Sequence, residues 1–217
     1  REQKISALFF YEKKTQLLFS YVTMYMVRCD ICGEKTKNTA FIFLCYTVYN
    51  ALLGTFSRYA TVVWKMEDNE FALYQSICMV TAFIAYIPTG KISNKDNQKK
   101  ITMLGIGLMI ASLIGLGSLS KFSFIAVICI GFIGVAWAII SVNLVPILVL
   151  GANEDEVSGL VGYYSIMYNS ALVLAPVISG FVLEYFSYRM MYPVLTIFLC
   201  IAAVGLFFVK SSNSKSE

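Results

Sequence analysis

Long apolar runs alternate with short polar ones along most of this 217-residue chain. Residues 72–89 and 101–119 carry no charged side chain, and each approaches the roughly 20 apolar residues a helix needs to cross a hydrocarbon core. The same reading along the chain predicts six membrane spans, at about 39–60, 72–90, 101–119, 122–150, 157–184 and 190–209. In lipid the backbone must hydrogen-bond to itself, so helices are the economical solution. The predicted fold class is an all-α membrane protein, a six-transmembrane-helix bundle. Pro146 and Pro176 interrupt the two longest spans, while Pro193 falls in the first turn of the sixth, where its missing N–H does little harm.

Two polar ends flank the bundle. Residues 1–38 read as a cytoplasmic linker and residues 211–217 as a cytoplasmic tail. Within the linker, residues 17–27 are apolar and aromatic but too short to span, with Lys13, Lys14 and Arg28 around them. An interfacial helix on the inner leaflet fits that pattern. So does an ordinary inter-domain loop with some helix.

Composition agrees with lipid as the solvent. The chain is 58% hydrophobic and 14% charged, with a mean hydropathy of +0.71, where a soluble domain carries about 25% charged residues. Its formal charge of +4 comes from lysines gathered in loops, which argues against a nucleic-acid partner. Histidine is absent, which removes His-assisted nucleophilic catalysis and His metal sites together. Cys45, Cys78, Cys129 and Cys200 lie in apolar runs and behave as small hydrophobes. Cys29 and Cys32 have CxxC spacing but no second pair, so no metal or cofactor is expected, and no enzyme.

Charge also orients the spans. Residues 90–100, GKISNKDNQKK, place four lysines between two uncharged runs. Such a turn resists translocation and belongs on the cytoplasmic side. With that side fixed, the segments assigned to the inside hold 13 of the 17 Lys and Arg residues and the outer ones 4. Both termini are therefore predicted cytoplasmic, in a multi-pass protein of the plasma membrane. The steps Ala111-xxx-Gly115, Gly131-xx-Gly134, Gly159-xx-Gly162 and Ala171-xxx-Ala175 predict close helix contacts at small residues.

Three stretches resemble signatures of the major facilitator superfamily. In the lysine turn, Gly90, Lys95 and Lys99 match the loop motif between the second and third helices of each half. Asn94 stands where that motif has Asp, and Asn97 replaces its second Gly. The stretch Ala171-x-x-x-Ala175-Pro176-x-x-Ser179-Gly180 looks like the small-residue motif of a half's fifth helix. Ser187-Tyr188-Arg189 with Tyr192 is similar to the turn before the sixth. The resemblance implies one half of a twelve-helix carrier, helices seven to twelve, whose N-terminal six-helix half is the main partner besides membrane lipid. A positive-inside turn would place the same lysines by itself.

Finer texture points to a branch. Trp137, Asn143 and Pro146 on span four, Gly162-Tyr163-Tyr164 on span five and Tyr49-Asn50-Ala51 on span one resemble the bacterial members of the group that includes sucrose–proton symporters. That resemblance implies sugar transport by alternating access, with a proton or sodium ion as coupling partner. Where the group often carries an acidic residue after Tyr-Asn-Ala, this chain has Leu52, Leu53 and Gly54. No ionisable side chain lies deep in a span, since Arg58 and Glu184 are terminal. Coupling chemistry is therefore expected in the other half.

Polar groups at mid-bilayer depth are costly and so informative. Candidates for substrate contact are Tyr46, Tyr49 and Asn50, then Trp137, Ser141 and Asn143, then Tyr164, Tyr168 and Asn169. Asn143 precedes a proline that frees backbone carbonyls, and Tyr164 and Tyr168 share a helix face at i,i+4. Aromatic belts and helix–helix hydrogen bonds are the competing explanations for such residues. Acidic Glu154, Asp155 and Glu156 read as an inner loop, either a solvated hinge or a partner for the lysines. The function expected is secondary-active transport of a small neutral solute, a sugar. Efflux of an amphiphilic compound and a non-transporting membrane scaffold stay open as rivals.

Overall fold

A computed structural model of the chain describes residues 33–94, 97–149, 152–185 and 187–208. Lys95, residues 1–32 with Cys29 and Cys32, and the tail from residue 209 lie outside the described residues. Six helices follow in order: α1 Gly33–Val63, α2 Asp68–Ile92, α3 Gln98–Ser118, α4 Phe124–Val149, α5 Glu154–Tyr185 and α6 Met191–Phe208. A 3-10 turn, Tyr188–Met190, leads into α6 and carries exposed Arg189. All six helices are long and apolar enough to cross a membrane. The protein is multi-pass, and its solvent is lipid over most of its length.

Packing divides the bundle into two tightly associated pairs with two helices behind them. α2 runs along α4, α5 runs along α1, and α3 and α6 back these pairs. The α2–α4 seam is closed by a missing side chain. A Cβ on Gly134 would collide with the Cys78 carbonyl and the Thr81 hydroxyl, so only glycine permits this approach. One turn away the Thr81 hydroxyl donates to the Gly131 carbonyl at 3.0 Å. Between α3 and α4, a Cβ on Gly105 would stand 2.7 Å from Cγ2 of Ile139, and one on Gly115 would stand 2.9 Å from Sγ of Cys129. On α5 the stripe Ala171, Ala175 and Ser179 is buried. Gly159, Gly162 and Gly180 are different: no atom lies within 4 Å of a Cβ placed there. The expected contact at Gly159-xx-Gly162 is not made within this bundle, because these residues lie away from the buried face of α5.

Several buried hydroxyls donate to carbonyls of their own helices, which suits an apolar medium, whereas the buried phenol oxygens of Tyr59 and Tyr192 have no hydrogen-bond partner. Thr47 donates to the Phe43 carbonyl at 2.8 Å, Thr55 to Ala51 at 2.6 Å and Ser112 to Leu108 at 2.8 Å. At the end of the bundle away from the lysine turn, aromatic rings close the core. Tyr59 meets Tyr192 edge-on at 4.6 Å and Trp64 at 5.2 Å, and Phe122 covers Trp64 at 5.4 Å. α1 ends there on Lys65, which takes a left-handed φ of 56°, and the Met66 amide returns to the Ala60 carbonyl.

The lysine turn differs in detail from its sequence reading. Gly90 does not make the turn: it sits inside α2, which continues to Ile92. Asparagines make it instead. Asn97 accepts the Asn94 amide at 2.8 Å and donates to the Ile92 carbonyl at 3.1 Å, which ends one helix and starts the next. Lys99 then reaches across to the end of α6, its Nζ 3.0 Å from the Phe207 carbonyl. A cation at a helix C-terminus complements the peptide dipoles there. The acidic trio is a second correction. Glu154, Asp155 and Glu156 form the first turn of α5 rather than a loop, where negative charge stabilises a helix N-terminus.

Candidate substrate cleft

The two helix pairs leave an open cleft between them, lined by Tyr46, Tyr49, Asn50, Tyr86, Trp137, Ser141, Tyr164 and Tyr168. Each helix contributes through its own period. Tyr46, Tyr49 and Asn50 are three and four residues apart on α1, Trp137 and Ser141 four apart on α4, and Tyr164 and Tyr168 four apart on α5. Tyr86 comes from α2, six residues before its C-terminal end at Ile92. The cleft measures about 320 Å³, within the range of roughly 300–1,000 Å³ usual for small-molecule sites.

Its floor is a ring assembly. Trp137 and Tyr49 stack with centroids 3.7 Å apart and planes within 1°. Tyr46 meets Trp137, Tyr164 and Tyr168 edge-on, at 5.2, 5.8 and 4.8 Å. The edge-on contacts of Tyr46 are favourable ones for aromatic quadrupoles, while Trp137 and Tyr49 lie face to face in close contact, so the rings pack on one another before any ligand arrives.

The polar atoms are all neutral. The phenol oxygens of Tyr46 and Tyr164 are hydrogen-bonded to each other, joining α1 to α5. The Ser141 hydroxyl lies 3.2 Å from the Tyr86 oxygen, joining α4 to α2, and 3.3 Å from the Ala138 carbonyl. Asn50 donates from its side-chain nitrogen to the Tyr46 carbonyl at 2.8 Å, which fixes the amide and leaves its side-chain oxygen as an acceptor. Among the described residues, none that lines the cleft carries a carboxylate, ammonium or guanidinium. Among the described residues no cluster of His, Cys, Asp or Glu is placed to hold a metal ion.

Seven of the nine residues that sequence reasoning proposed are brought together here. Two are not. Asn143 is fully buried away from the cleft: it donates to the Ile139 carbonyl at 2.7 Å and accepts a hydrogen bond from Ser93 at the C-terminal end of α2. It is two residues from Ser141, and that offset turns it toward the other side of α4. Asn169 donates back to the Ser165 carbonyl at 2.7 Å, on an exposed part of α5 outside the cleft lining. Tyr86 was missed. Its signal was a phenol well inside an otherwise apolar run, the same signal that marked Tyr46.

Of the loop residues, Gly90 and Asn94 lie at the C-terminal end of α2 and Lys99 ties α3 to α6, none of them in the cleft lining. Pro176 is exposed within α5, and Ala171, Ala175 and Ser179 face its buried side.

The family model of the Major Facilitator Superfamily matches residues 39–217. No curated protein sequence matches the chain. The helix order, six spans with a cleft on one side, and a family match covering all six together place this chain in the Major Facilitator Superfamily of membrane transporters, as a six-helix half of that fold.

Proposed function

We propose that this bundle is the C-terminal half of a carrier that moves a small neutral, hydroxyl-rich solute, a sugar, across the plasma membrane by alternating access. The lining of the cleft carries this reading. Six aromatic rings and a set of hydroxyl and amide groups, with no charge among them, match a solute that has apolar ring faces and neutral polar edges. In inverted-repeat carriers the site lies near mid-bilayer between the halves, which rock about it. The N-terminal half would supply the remaining walls, and the coupling proton or sodium site would lie there too, since this cleft holds no carboxylate. Both termini face the cytoplasm in this reading, and the turn at Asn94, Lys95 and Lys99 acts at the inner mouth. The branch it fits best is that of the sucrose–proton symporter-like carriers.

The ring content of the cleft favours one alternative, an amphiphilic compound held by apolar contact alone. Uptake assays on the full carrier separate the two. Trp137→Ala and Tyr164→Ala should each lower sugar uptake at least about tenfold at unchanged membrane abundance. Sugar uptake untouched by both, with altered transport of an amphiphilic cation or dye, would favour the alternative.

A further inference from the structure

Four of the six hydroxyls lining the cleft are organised in two pairs, each bridging one of the two helix pairs. Tyr46 and Tyr164 join α1 to α5. Ser141 and Tyr86 join α4 to α2. The Trp137–Tyr49 stack lies on the cleft floor, with one ring from each helix pair. In the empty cleft each of these four hydroxyls has a hydrogen-bond partner, which lowers the cost of holding it in an apolar medium.

We infer that these two hydroxyl pairs are separate recognition points for two different hydroxyl groups of one sugar, with Tyr86 and Ser141 forming the second point. The inference rests on the sugar reading above. A ligand hydroxyl both donates and accepts, so it can insert into a hydroxyl–hydroxyl hydrogen bond and restore both halves of it. A ligand carbon in the same place breaks the bond and restores nothing. Each pair therefore selects for an oxygen at one ring position and rejects the analogue that lacks it. The geometry also separates the two positions. Tyr46 and Tyr164 belong to the α1–α5 side, Ser141 and Tyr86 to the α2–α4 side, and the stack offers a ring face that fixes the sugar plane. A bound sugar would thus tie the two helix pairs together through its own hydroxyls.

Ser141 is the more exchangeable member. Its single proton has two acceptors at nearly equal distance, the Tyr86 oxygen at 3.2 Å and the Ala138 carbonyl at 3.3 Å. When a ligand occupies Tyr86, the serine can turn to its own helix without losing a hydrogen bond. Tyr86 is thereby the group on α2 that contacts ligand, and Ser141 positions it in the empty state.

The test is competition for uptake in the full carrier in membranes. Glucose, maltose and sucrose are compared first, then the complete set of mono-deoxy analogues of whichever competes best. In the unaltered carrier two deoxy positions should each weaken competition about three- to tenfold, the worth of one neutral hydrogen bond. Tyr46→Phe combined with Tyr164→Phe should remove the penalty at one of these positions, since either phenol alone would keep it, and Tyr86→Phe should remove the penalty at the other. Ser141→Ala should leave the Tyr86 position discriminated, because the phenol remains. Membrane abundance is measured for each variant, and a Tyr→Phe change removes only an oxygen. The proposal is overturned if both Phe variants relax the same position, or if neither relaxes any. If none of the three sugars is transported or competes, the sugar reading itself fails, a result distinct from either.

Discussion

Ser93 donates a hydrogen bond from its hydroxyl to the side-chain oxygen of Asn143, linking the C-terminal end of α2 to α4 fifty residues further along the chain. Asn143 is 0% exposed and its nitrogen is held by the Ile139 carbonyl. Its role is therefore to fasten two helices, beside Pro146, where α4 has lost one of its backbone hydrogen bonds.

Removing that tie should cost stability and not substrate affinity. Asn143→Ala leaves a small void and a buried seam without its polar link, at about 1–3 kcal/mol. Thermal unfolding of the detergent-solubilised protein should show the loss, with the KM for uptake unchanged. A raised KM at full stability would return Asn143 to the substrate site.

Gly134 and Gly162 should respond in opposite ways. Gly134→Ala drives a methyl group into the Cys78 carbonyl and the Thr81 hydroxyl, and forcing such a seam apart costs about 1–3 kcal/mol. At Gly162 a methyl group meets nothing within this bundle, so Gly162→Ala should be neutral or gain up to about 1 kcal/mol from helix propensity. Unfolding midpoints of the two variants, compared side by side, decide the point.

Lys99 contributes a charge–dipole contact at the end of α6. Lys99→Gln should destabilise by about 0.3–1 kcal/mol at low salt. That difference should shrink when the salt concentration is raised toward 1 M, because the contact is exposed and screened. A difference that persisted in high salt would point to packing by the lysine stem.

Substrate affinity should be flat between about pH 5 and 8. None of the lining groups is a carboxylate or a histidine, and ordinary phenols titrate near pH 10. Uptake rate can still follow the proton gradient if coupling resides in the other half. The measurement is the KM across that pH range with the gradient collapsed, and a tenfold change would require an ionisable group in the site.

Orientation is tested by labelling from one side. In a background without the native cysteines, Asn69→Cys should react with an impermeant maleimide applied outside the cell, and Lys100→Cys only after permeabilisation. Both positions are exposed at the ends of their helices. The reverse pattern would turn the bundle over.

The sequence alone determined the medium, the number of spans and their order. Scarce charge, uncharged runs of membrane length and a four-lysine turn follow from composition and linear spacing, which survive any choice of packing. It also marked the right kind of chemistry, since phenols, an indole and amides inside apolar helices are conspicuous. Which of them share a cavity was decided only by the tertiary structure. These spans are apolar on nearly every side, so no stripe of polar residues marks the face that turns inward. Rotational setting comes from contacts instead. Gly134 pressed against α2 orients α4 so that Trp137 and Ser141 face the cleft while Asn143 meets Ser93. The same setting of α2 brings Tyr86 to Ser141. A shift of two residues along a helix turns a side chain by about 200°, and only the packing of one helix on its neighbour fixes which way each residue points.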